Sequence, residues 1–309
     1  MAKAIREAYG EALIKYGKDD PRIVVLDADV TGSTKSNMFA KEIPERHFNV
    51  GIAEANMTAM AGGMASAGKI PFVNTFAVFL TSIGLTAARA LGSYSKLPIK
   101  MAGAYSGLSN AFDGASHHAL EDIAVMRTLP NFKVFVPSDE RITDWMVKNA
   151  IEDPSPMYLR ISRDAFPDIY GEDEVFEEGK CKIVRDGKDV TVIACGLLVG
   201  NALQAAEDLE KEGISVRVVD MFSIKPIDEE LIRKCAAETK AIVTAEEHSI
   251  FGGLGSAVAE VLCKYGCGVK VGFVGVNDTH AESGPYKKLQ AKYGLDAAAV
   301  AAKVKEVLA

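Results

Sequence analysis

The residues best suited to chemistry lie between positions 46 and 89 of the 309-residue chain, in RHFNVGIAEANMTAMAGGMASAGKIPFVNTFAVFLTSIGLTAAR. Glu54 is a lone carboxylate at the start of a run of alanine, methionine and glycine, and is either an exposed cap or deliberately buried. Burial disfavours the charged form of a carboxyl, so a buried one exchanges a proton near neutral pH. Phe76 and Phe79 follow Phe72 and could stack on a flat heteroaromatic ring, although their spacing alone favours core packing.

Two glycine-rich segments come close to known phosphate-binding patterns and fail. Gly63–Lys69 has the spacing of a P-loop, but Ile70 stands where a hydroxyl would hold magnesium. Gly252–Gly255 resembles the start of a dinucleotide loop, but the third glycine is missing, and Glu246 and Glu247 would repel a pyrophosphate. The second segment is better explained as a tight turn into a helix.

Histidine and cysteine positions give only weak metal signals. His117 and His118 with Glu121 could ligate a metal, but adjacent histidines usually diverge. Cys263 and Cys267 are four residues apart without a second ligand pair. The chain has an odd number of cysteines, five in all, which favours reduced thiols and a cytoplasmic location.

The elements that must hold these residues alternate between strand and helix. Short apolar runs at 22–27, 99–104, 132–136 and 157–161 are typical of buried parallel strands, and helical patterns lie between them. The alternation resumes after residue 181. It predicts an α/β fold of two doubly wound domains, at 1–168 and 181–309, with 169–180 as an acidic linker.

Composition excludes several classes of protein. Apolar residues make up 48% and charged residues 25% of the chain, with a net charge of −7, which argues against nucleic-acid or anionic-membrane surfaces. The charged residues at 1–13 lead us to expect an amphipathic helix there and not a signal peptide. The run 70–88 has no charge but contains proline, glycine and several polar residues. We expect it to be a buried helix or loop against a partner rather than a membrane span.

Several motifs together resemble a known family, across essentially the whole chain. Asp-Ala-Asp at 27–29, GIAEANM, TFAVF and FDGASHHALEDIAVMRTLPN are similar to the pyrimidine-binding half of transketolase. VVDMFSIKPID and VTAEEHSIFGGLGSAVAEVL are similar to its C-terminal domain. Deoxyxylulose-phosphate synthase and the 2-oxo acid dehydrogenase decarboxylases are more distant. The resemblance implies a thiamine-diphosphate-dependent transferase, a pyrimidine-binding domain and a transketolase C-terminal-like domain.

The resemblance also implies cofactor contacts. Glu54 matches the glutamate that bonds N1′ of the aminopyrimidine and so promotes loss of the thiazolium C2 proton. Phe79 matches the aromatic that stacks on the pyrimidine, and Phe76 the one beside it. Asp29 and Ile52 match positions near the cofactor.

Substrate contacts follow from the same resemblance. Asp113 and His117 match the pair that contacts the sugar hydroxyls, with His117 also counted as catalytic. Ser33 and Arg163 match positions that bind a sugar phosphate, and a helix cap for Ser33 and a linker salt bridge for Arg163 are the equally weighted alternatives. Tyr105, counted as a substrate contact, stands where the family often has histidine. This and neighbouring departures leave the sugar open.

One part of the family's machinery is missing from the sequence. We find no Gly-Asp-Gly followed by asparagine, the pattern that holds magnesium and the diphosphate. We therefore expect a subunit of a split transketolase that joins a separate N-terminal subunit carrying the magnesium ligands, as a dimer or heterotetramer. It would transfer a two-carbon ketol unit between pentose-phosphate-type sugars. The alternatives are a subunit of deoxyxylulose-phosphate synthase or of a 2-oxo acid decarboxylase, and a non-catalytic scaffold paralogue.

Overall fold

The structure is a computed structural model that describes residues 3–309. Its strands are β1 (Ile23–Asp27), β2 (His47–Asn49), β3 (Ile70–Phe76), β4 (Lys100–Ala104), β5 (Lys133–Phe135), β6 (Met157–Ile161), β7 (Lys182–Arg185), β8 (Val190–Ala194), β9 (Val216–Asp220), β10 (Ser223–Lys225), β11 (Ala241–Ser249) and β12 (Lys270–Val276). They form two sheets, each with a largely parallel pairing. The predicted α/β fold class is confirmed.

Thirteen α-helices in residues 3–309 connect and cover these strands. They are α1 (Ile5–Asp19), α2 (Thr31–Thr34), α3 (Ser36–Glu42), α4 (Glu54–Ser66), α5 (Ala77–Ser82), α6 (Leu85–Ala87), α7 (Asp122–Thr128), α8 (Glu140–Glu152), α9 (Leu197–Glu210), α10 (Glu229–Glu238), α11 (Leu254–Lys264), α12 (Tyr286–Lys292) and α13 (Ala297–Leu308). Within the described residues, none of these helices is long and apolar enough to cross a bilayer.

The first sheet has the order β10-β5-β6-β4-β3-β1-β2 and is parallel except for β10. Strands β1, β4 and β6 are mostly apolar and fully buried, because helices cover both faces. The edge strand β10 comes from the second half of the chain and pairs antiparallel with β5. The two halves therefore share one sheet.

The second sheet has the order β12-β11-β8-β9-β7, with only β7 antiparallel. Helices α9 and α13 pack against it through buried alanine, valine and leucine side chains. Asp296 caps α13 by accepting from the Ala299 N–H at 2.9 Å. An acidic N-cap is a local feature that can be predicted from the sequence alone.

The uncharged run 70–88 differs from its prediction as a buried helix or loop. Its first seven residues form β3, which lies between β1 and β4 in the middle of the first sheet. Helices α5 and α6 follow. The run lacks charge because β3 is buried on both faces, and Pro71 and Asn74 are accommodated within it. Asn74 donates to the carbonyls of Leu26 and Phe72 at 2.9 and 3.0 Å.

Candidate active site

Most of the predicted site residues meet at one edge of the first sheet. Asp29 follows β1, Phe76 ends β3, Tyr105 follows β4, and Arg163 follows β6. These four strands are neighbours in register and run in the same direction. Their carboxyl ends therefore gather the four side chains at one edge, where open α/β sheets bind ligands.

Glu54 is the buried carboxylate of this edge. It is the first residue of α4 and is 5% exposed. Its side chain has one long hydrogen bond, from Thr75 Oγ1 to Oε1 at 3.4 Å. Glu54 is therefore the buried carboxylate, and not the exposed cap, of the two possibilities that the sequence left open. Its position at a helix N-terminus favours a carboxylate there. A buried carboxylate with a single weak partner keeps oxygen lone pairs for a ligand.

Four aromatic side chains form a cluster at the same edge of the sheet. The ring of Phe76 stacks on Tyr105 with centroids 4.9 Å apart and planes inclined by 18°. His117 meets Phe79 edge-on at 5.1 Å and Phe76 at 6.0 Å. Phe76 and Phe79 are only half-buried, whereas Phe72 is fully buried in the core. Core packing thus accounts for Phe72 and leaves the other two phenylalanines partly open.

Two guanidinium groups surround Tyr105. The Arg163 Cζ atom lies 5.2 Å from the ring centroid and the Arg6 Cζ atom 5.4 Å. Arg6 Nη1 also donates to the Tyr105 hydroxyl at 2.8 Å. Neither arginine makes an ion pair within 4 Å in residues 3–309, so the linker salt bridge considered for Arg163 is absent there. Two guanidiniums near one ring, neither of them in an ion pair within the described residues, suit an anionic ligand.

Arg6 was missed by the sequence reasoning. It lies in the first turn of α1, which is brought to the site because Ile5 N–H donates to the Asp164 carbonyl at 3.3 Å. Its Nε atom is buried without a partner in the described residues. Burial raises the pKa of Asp164, and the nearby Arg163 and Arg6 oppose that rise. Nothing local in the sequence around Arg6 marks this role, since it depends on a contact between distant segments.

Ser33 lies half-buried in the loop region after β1, within the short helix α2. Its carbonyl accepts from Arg6 Nη1 at 3.4 Å, and it does not cap α2, whose N-cap is Val30. The loop is shaped by Asp27, which the sequence reasoning quoted in a motif but gave no role. Asp27 accepts from the Val30 N–H at 2.7 Å and from the Thr34 hydroxyl at 2.6 Å.

Three predicted residues are exposed and stand apart from the aromatic cluster. Asp29 has a positive φ of 64° and accepts from Asn49 Nδ2 at 2.8 Å. Ile52 is 82% exposed, and Asp113 is exposed at the end of a 3-10 turn. No hydrogen bond or ring contact joins them to Glu54 or Tyr105 within the described chain.

His117 and Asp113 lie on a loop that connects β4 to α7. The loop is closed by two backbone hydrogen bonds between Gly107 and Ala119, at 3.0 and 3.1 Å. His117 Nδ1 lies 3.0 Å from Ser116 Oγ. His118 points elsewhere and is buried, with neither ring nitrogen hydrogen-bonded in residues 3–309. Its burial lowers the pKa of its imidazole.

The alternative sites weighed from the sequence are not formed. The Glu246 carboxylate accepts from the Leu254 and Gly255 N–H groups at 2.7 and 2.8 Å. It thereby occupies the start of α11, where a dinucleotide phosphate would bind. Among residues 3–309, no three His, Cys, Asp or Glu side chains are grouped so as to hold a metal. Cys263 and Cys267 are free thiols.

Comparison with known proteins identifies this type of architecture. The family model for the transketolase pyrimidine-binding domain matches residues 1–168, and that for the transketolase C-terminal domain matches residues 179–300. The two sheets and the edge described above thus define an α/β protein of the transketolase type. The chain belongs to the transketolase family, which depends on thiamine diphosphate.

Relatives of similar length are named as parts of split enzymes. The "Putative transketolase C-terminal section" of Methanocaldococcus jannaschii is 45% identical over 98% of this chain and 96% of its own length. The 6-deoxy-6-sulfo-D-fructose transketolase subunit SqwH of Clostridium sp. is 37% identical over 98% of this chain and 94% of its own. A solved structure described as "Split gene transketolase, inactive beta4 tetramer" is 50% identical, with a TM-score of 0.92 over 99% of this chain and 98% of its own.

Proposed function

We propose that this chain is the pyrimidine-binding and C-terminal subunit of a split transketolase. It would transfer a two-carbon ketol unit between phosphorylated sugars, in an active site completed by a separate subunit. One observation carries the proposal: buried Glu54, half-open Phe76 and unpaired Arg163 belong to the same sheet edge. A proton-accepting group, a stacking surface and an anion-binding group are what such a reaction requires.

The side chains fit one half of thiamine diphosphate. A buried carboxylate with free lone pairs suits a protonated ring nitrogen, and the half-open rings of Phe76 and Phe79 suit a flat pyrimidine. We assign Glu54, Phe76 and Phe79 to this ring, with exposed Asp29 and Ile52 at its margin. When bound, thiamine diphosphate would supply the carbon nucleophile for the transfer. Its diphosphate and magnesium would be held by the partner.

Glu54 is proposed to hold a proton at N1′ of the pyrimidine. Its carboxylate lies at the N-terminus of α4 and has only Thr75 as a side-chain partner, so it can take and share a proton without breaking a strong bond. Because bulk water is largely excluded from a side chain that is 5% exposed, the hydrogen bond to N1′ would be strong. Glu54 thus activates the cofactor without touching the sugar.

The remaining side chains would orient the sugar. His117 lies edge-on to Phe79 and can donate or accept a hydrogen bond at a sugar hydroxyl, with Asp113 on the same loop. Arg163 and Ser33 would bind the anionic group at the far end, and Tyr105 separates the guanidiniums from the stacking surface. This order along the edge predicts that the anionic group of the sugar lies at the Arg163 end and its reacting carbons toward the cofactor.

A partner subunit is supported by the sequence and by the relatives. The Gly-Asp-Gly pattern is absent from the 309 residues, and relatives of the same length are named as a section, a subunit and a split-gene product. Exposed Ile52 and Ile83, at 82% and 51%, flank α4 and α5 and would be covered by the partner. The assembly would be a dimer or a heterotetramer.

The domains and the compartment complete the proposal. Residues 1–168 would form the pyrimidine-binding domain, 169–180 the connection and 181–309 the C-terminal domain. The five cysteines are all free, which is typical of a cytoplasmic protein. The name of the Clostridium relative refers to a sulfonated sugar. We propose phosphate here, while noting that two guanidiniums also suit sulfonate.

The test is reconstitution with the subunit that carries Gly-Asp-Gly. The chain alone, the partner alone and the mixture are assayed with a ketose-phosphate donor and an aldose-phosphate acceptor. We expect turnover only in the mixture. Robust turnover by the isolated chain would overturn the split-subunit proposal. Carbon dioxide release from pyruvate, without ketol transfer, would reassign the mixture to a decarboxylating enzyme.

A further inference from the structure

The second half of the chain reaches the base of the His117 loop through Glu247 and Tyr286. Glu247 lies on β11 and is 3% exposed. Its Oε1 atom accepts the Tyr286 hydroxyl at 2.7 Å. Burial raises the pKa of Glu247 to about 7, against the opposing effect of Arg160 and the Tyr286 bond. Neither Glu247 nor Tyr286 takes part in the chemistry proposed above.

The Glu247 carboxylate rests directly on the loop backbone. Gly107, the first residue of the closed loop, has a φ of +62°. A Cβ atom added there would lie 2.2 Å from Glu247 Oε2, so no larger residue fits. Arg160 Nη2 also contacts the base of the loop, where it donates to the Ala119 and Glu247 carbonyls at 3.2 and 2.9 Å. The two ends of the loop are thus fixed to β11.

The tip of the loop is held by the residues that precede Tyr286. Gly284 N–H donates to the Ala111 carbonyl at 3.4 Å. A Cβ atom at Gly114 would lie 2.6 Å from Ser283 Oγ, which shows how closely the Ser283 side chain packs on the loop. Since Tyr286 begins α12 two residues later, its bond to Glu247 ties the segment at the tip to the carboxylate at the base.

We infer that Glu247 and Tyr286 are positioning residues, which hold the loop 107–119 so that His117 and Asp113 meet the sugar substrate. The inference rests on the proposed function of those two side chains. The inference gives the C-terminal half of the chain a defined role in substrate binding, because that half fixes the position of the loop. The proposed cofactor contacts, Glu54 and Phe79, lie on elements that Glu247 does not touch. Loss of the pair would weaken substrate binding and leave cofactor binding intact.

The experiment compares Tyr286→Phe with Tyr293→Phe in the reconstituted complex. Tyr293 lies just after α12, and its hydroxyl makes no hydrogen bond in residues 3–309, so it is the matched control. We expect Tyr286→Phe to raise the sugar KM about tenfold, as the loss of the part-buried hydrogen bond to the Glu247 carboxylate allows. The kcat and the half-saturating thiamine diphosphate concentration should stay within about twofold of the unaltered complex. Glu247→Ala should raise the KM further.

A second readout uses the isolated chain and needs no activity. Hydrogen exchange of the amides in 107–119 should become faster in Tyr286→Phe, without faster exchange in β1 or β3. Unchanged exchange in the loop would overturn the inference, and so would faster exchange with a KM within about twofold of the unaltered complex. If the unaltered complex shows no ketol transfer, the proposed function fails, and the exchange result alone then decides whether the pair holds the loop.

Discussion

Each sheet has a carboxyl edge formed by parallel strands, but the two edges differ in how their polar groups are satisfied. At the first edge, Arg6 and Arg163 have no ion pair in residues 3–309, and Glu54 has one weak partner. At the second edge, Glu246 accepts two backbone N–H groups at the start of α11. His248 there accepts from the Ala124 N–H through Nε2 and lies 2.7 Å from the Ser249 carbonyl through Nδ1.

The difference teaches which edge is available to a ligand. A binding site keeps donors and acceptors unused until the ligand arrives, whereas a structural site pairs them within the chain. The start of α4 and the start of α11 illustrate the contrast, because the second is closed by a carboxylate of its own chain and the first is not. Substitutions at the first edge should therefore change activity, and those at the second should change stability or support the first.

The largest effect is expected for Glu54→Gln. We expect kcat to fall by about 10²–10⁴-fold in the reconstituted complex, because an amide cannot exchange a proton with N1′. Unfolding and subunit assembly should be unchanged, since glutamine keeps the shape and the acceptor for Thr75. Steady-state kinetics with sedimentation of the complex measures both. Glu45→Gln, at an exposed glutamate, is the control; a Glu54→Gln complex with most of its rate would contradict the assigned role.

The next effect concerns the two arginines beside Tyr105. Arg163→Ala and Arg6→Ala should each raise the KM of a phosphorylated sugar by about 10–100-fold, because each removes a charge-assisted hydrogen bond. An uncharged sugar analogue should be much less affected. Arg22→Ala is the control, since Arg22 precedes β1 at the opposite edge and pairs with Asp20 at 2.6 Å. If only Arg163→Ala raised the KM, Arg6 would be a support for Tyr105 and not a ligand contact.

At the second edge, Glu246→Ala should affect stability and spare the kinetics of the folded complex. It leaves the Leu254 and Gly255 N–H groups without their acceptor, which should cost about 2 kcal/mol and lower Tm by a few degrees. Glu210→Ala, which removes an exposed pair with Arg185, should cost less than about 1 kcal/mol. A large fall in the kcat of the folded Glu246→Ala complex, with little loss of stability, would contradict the contrast between the two edges.

The sequence predicted the fold best where local chemistry and burial agree. The strand β6 matches its predicted bounds, because Pro154 and Pro156 precede a short apolar run. The uncharged run 70–88 was mistaken for helix or loop, because a strand buried on both faces has no alternation, and its apolar run continues directly into α5. β10 was missed because its partner β5 is almost ninety residues away.

The site residues also divide into those that the sequence could predict and those that it could not. Glu54, Phe76 and Phe79 could be singled out because they lie in one segment whose motifs, GIAEANM and TFAVF, resemble those of the family. Arg6 could not, since its place beside Tyr105 arises from the docking of α1 on residues 164 and 165. The Glu247–Tyr286 pair was equally hidden, because it joins two elements of the second half that meet only in the folded chain. Long-range pairing is what a single sequence does not display.

The smallest effect on stability is expected at Asp220, the last residue of β9. This residue tests whether polar groups at the second edge hold the two halves of the chain together. Asp220 Oδ2 accepts the hydroxyls of Ser138 and Tyr170, from the first half and the connecting segment. Burial raises the pKa of Asp220 from 3.8 to about 7. The folded chain therefore keeps a proton that the unfolded chain releases, so this residue's contribution to the unfolding free energy is full below about pH 4 and falls as the pH rises to about 7.

Asp220→Asn removes that loss while keeping an acceptor oxygen, so its stability relative to the unaltered chain should increase between pH 5 and pH 8. Urea unfolding at several pH values measures the difference; two parallel stability curves would mean that Asp220 does not hold its proton in the folded state.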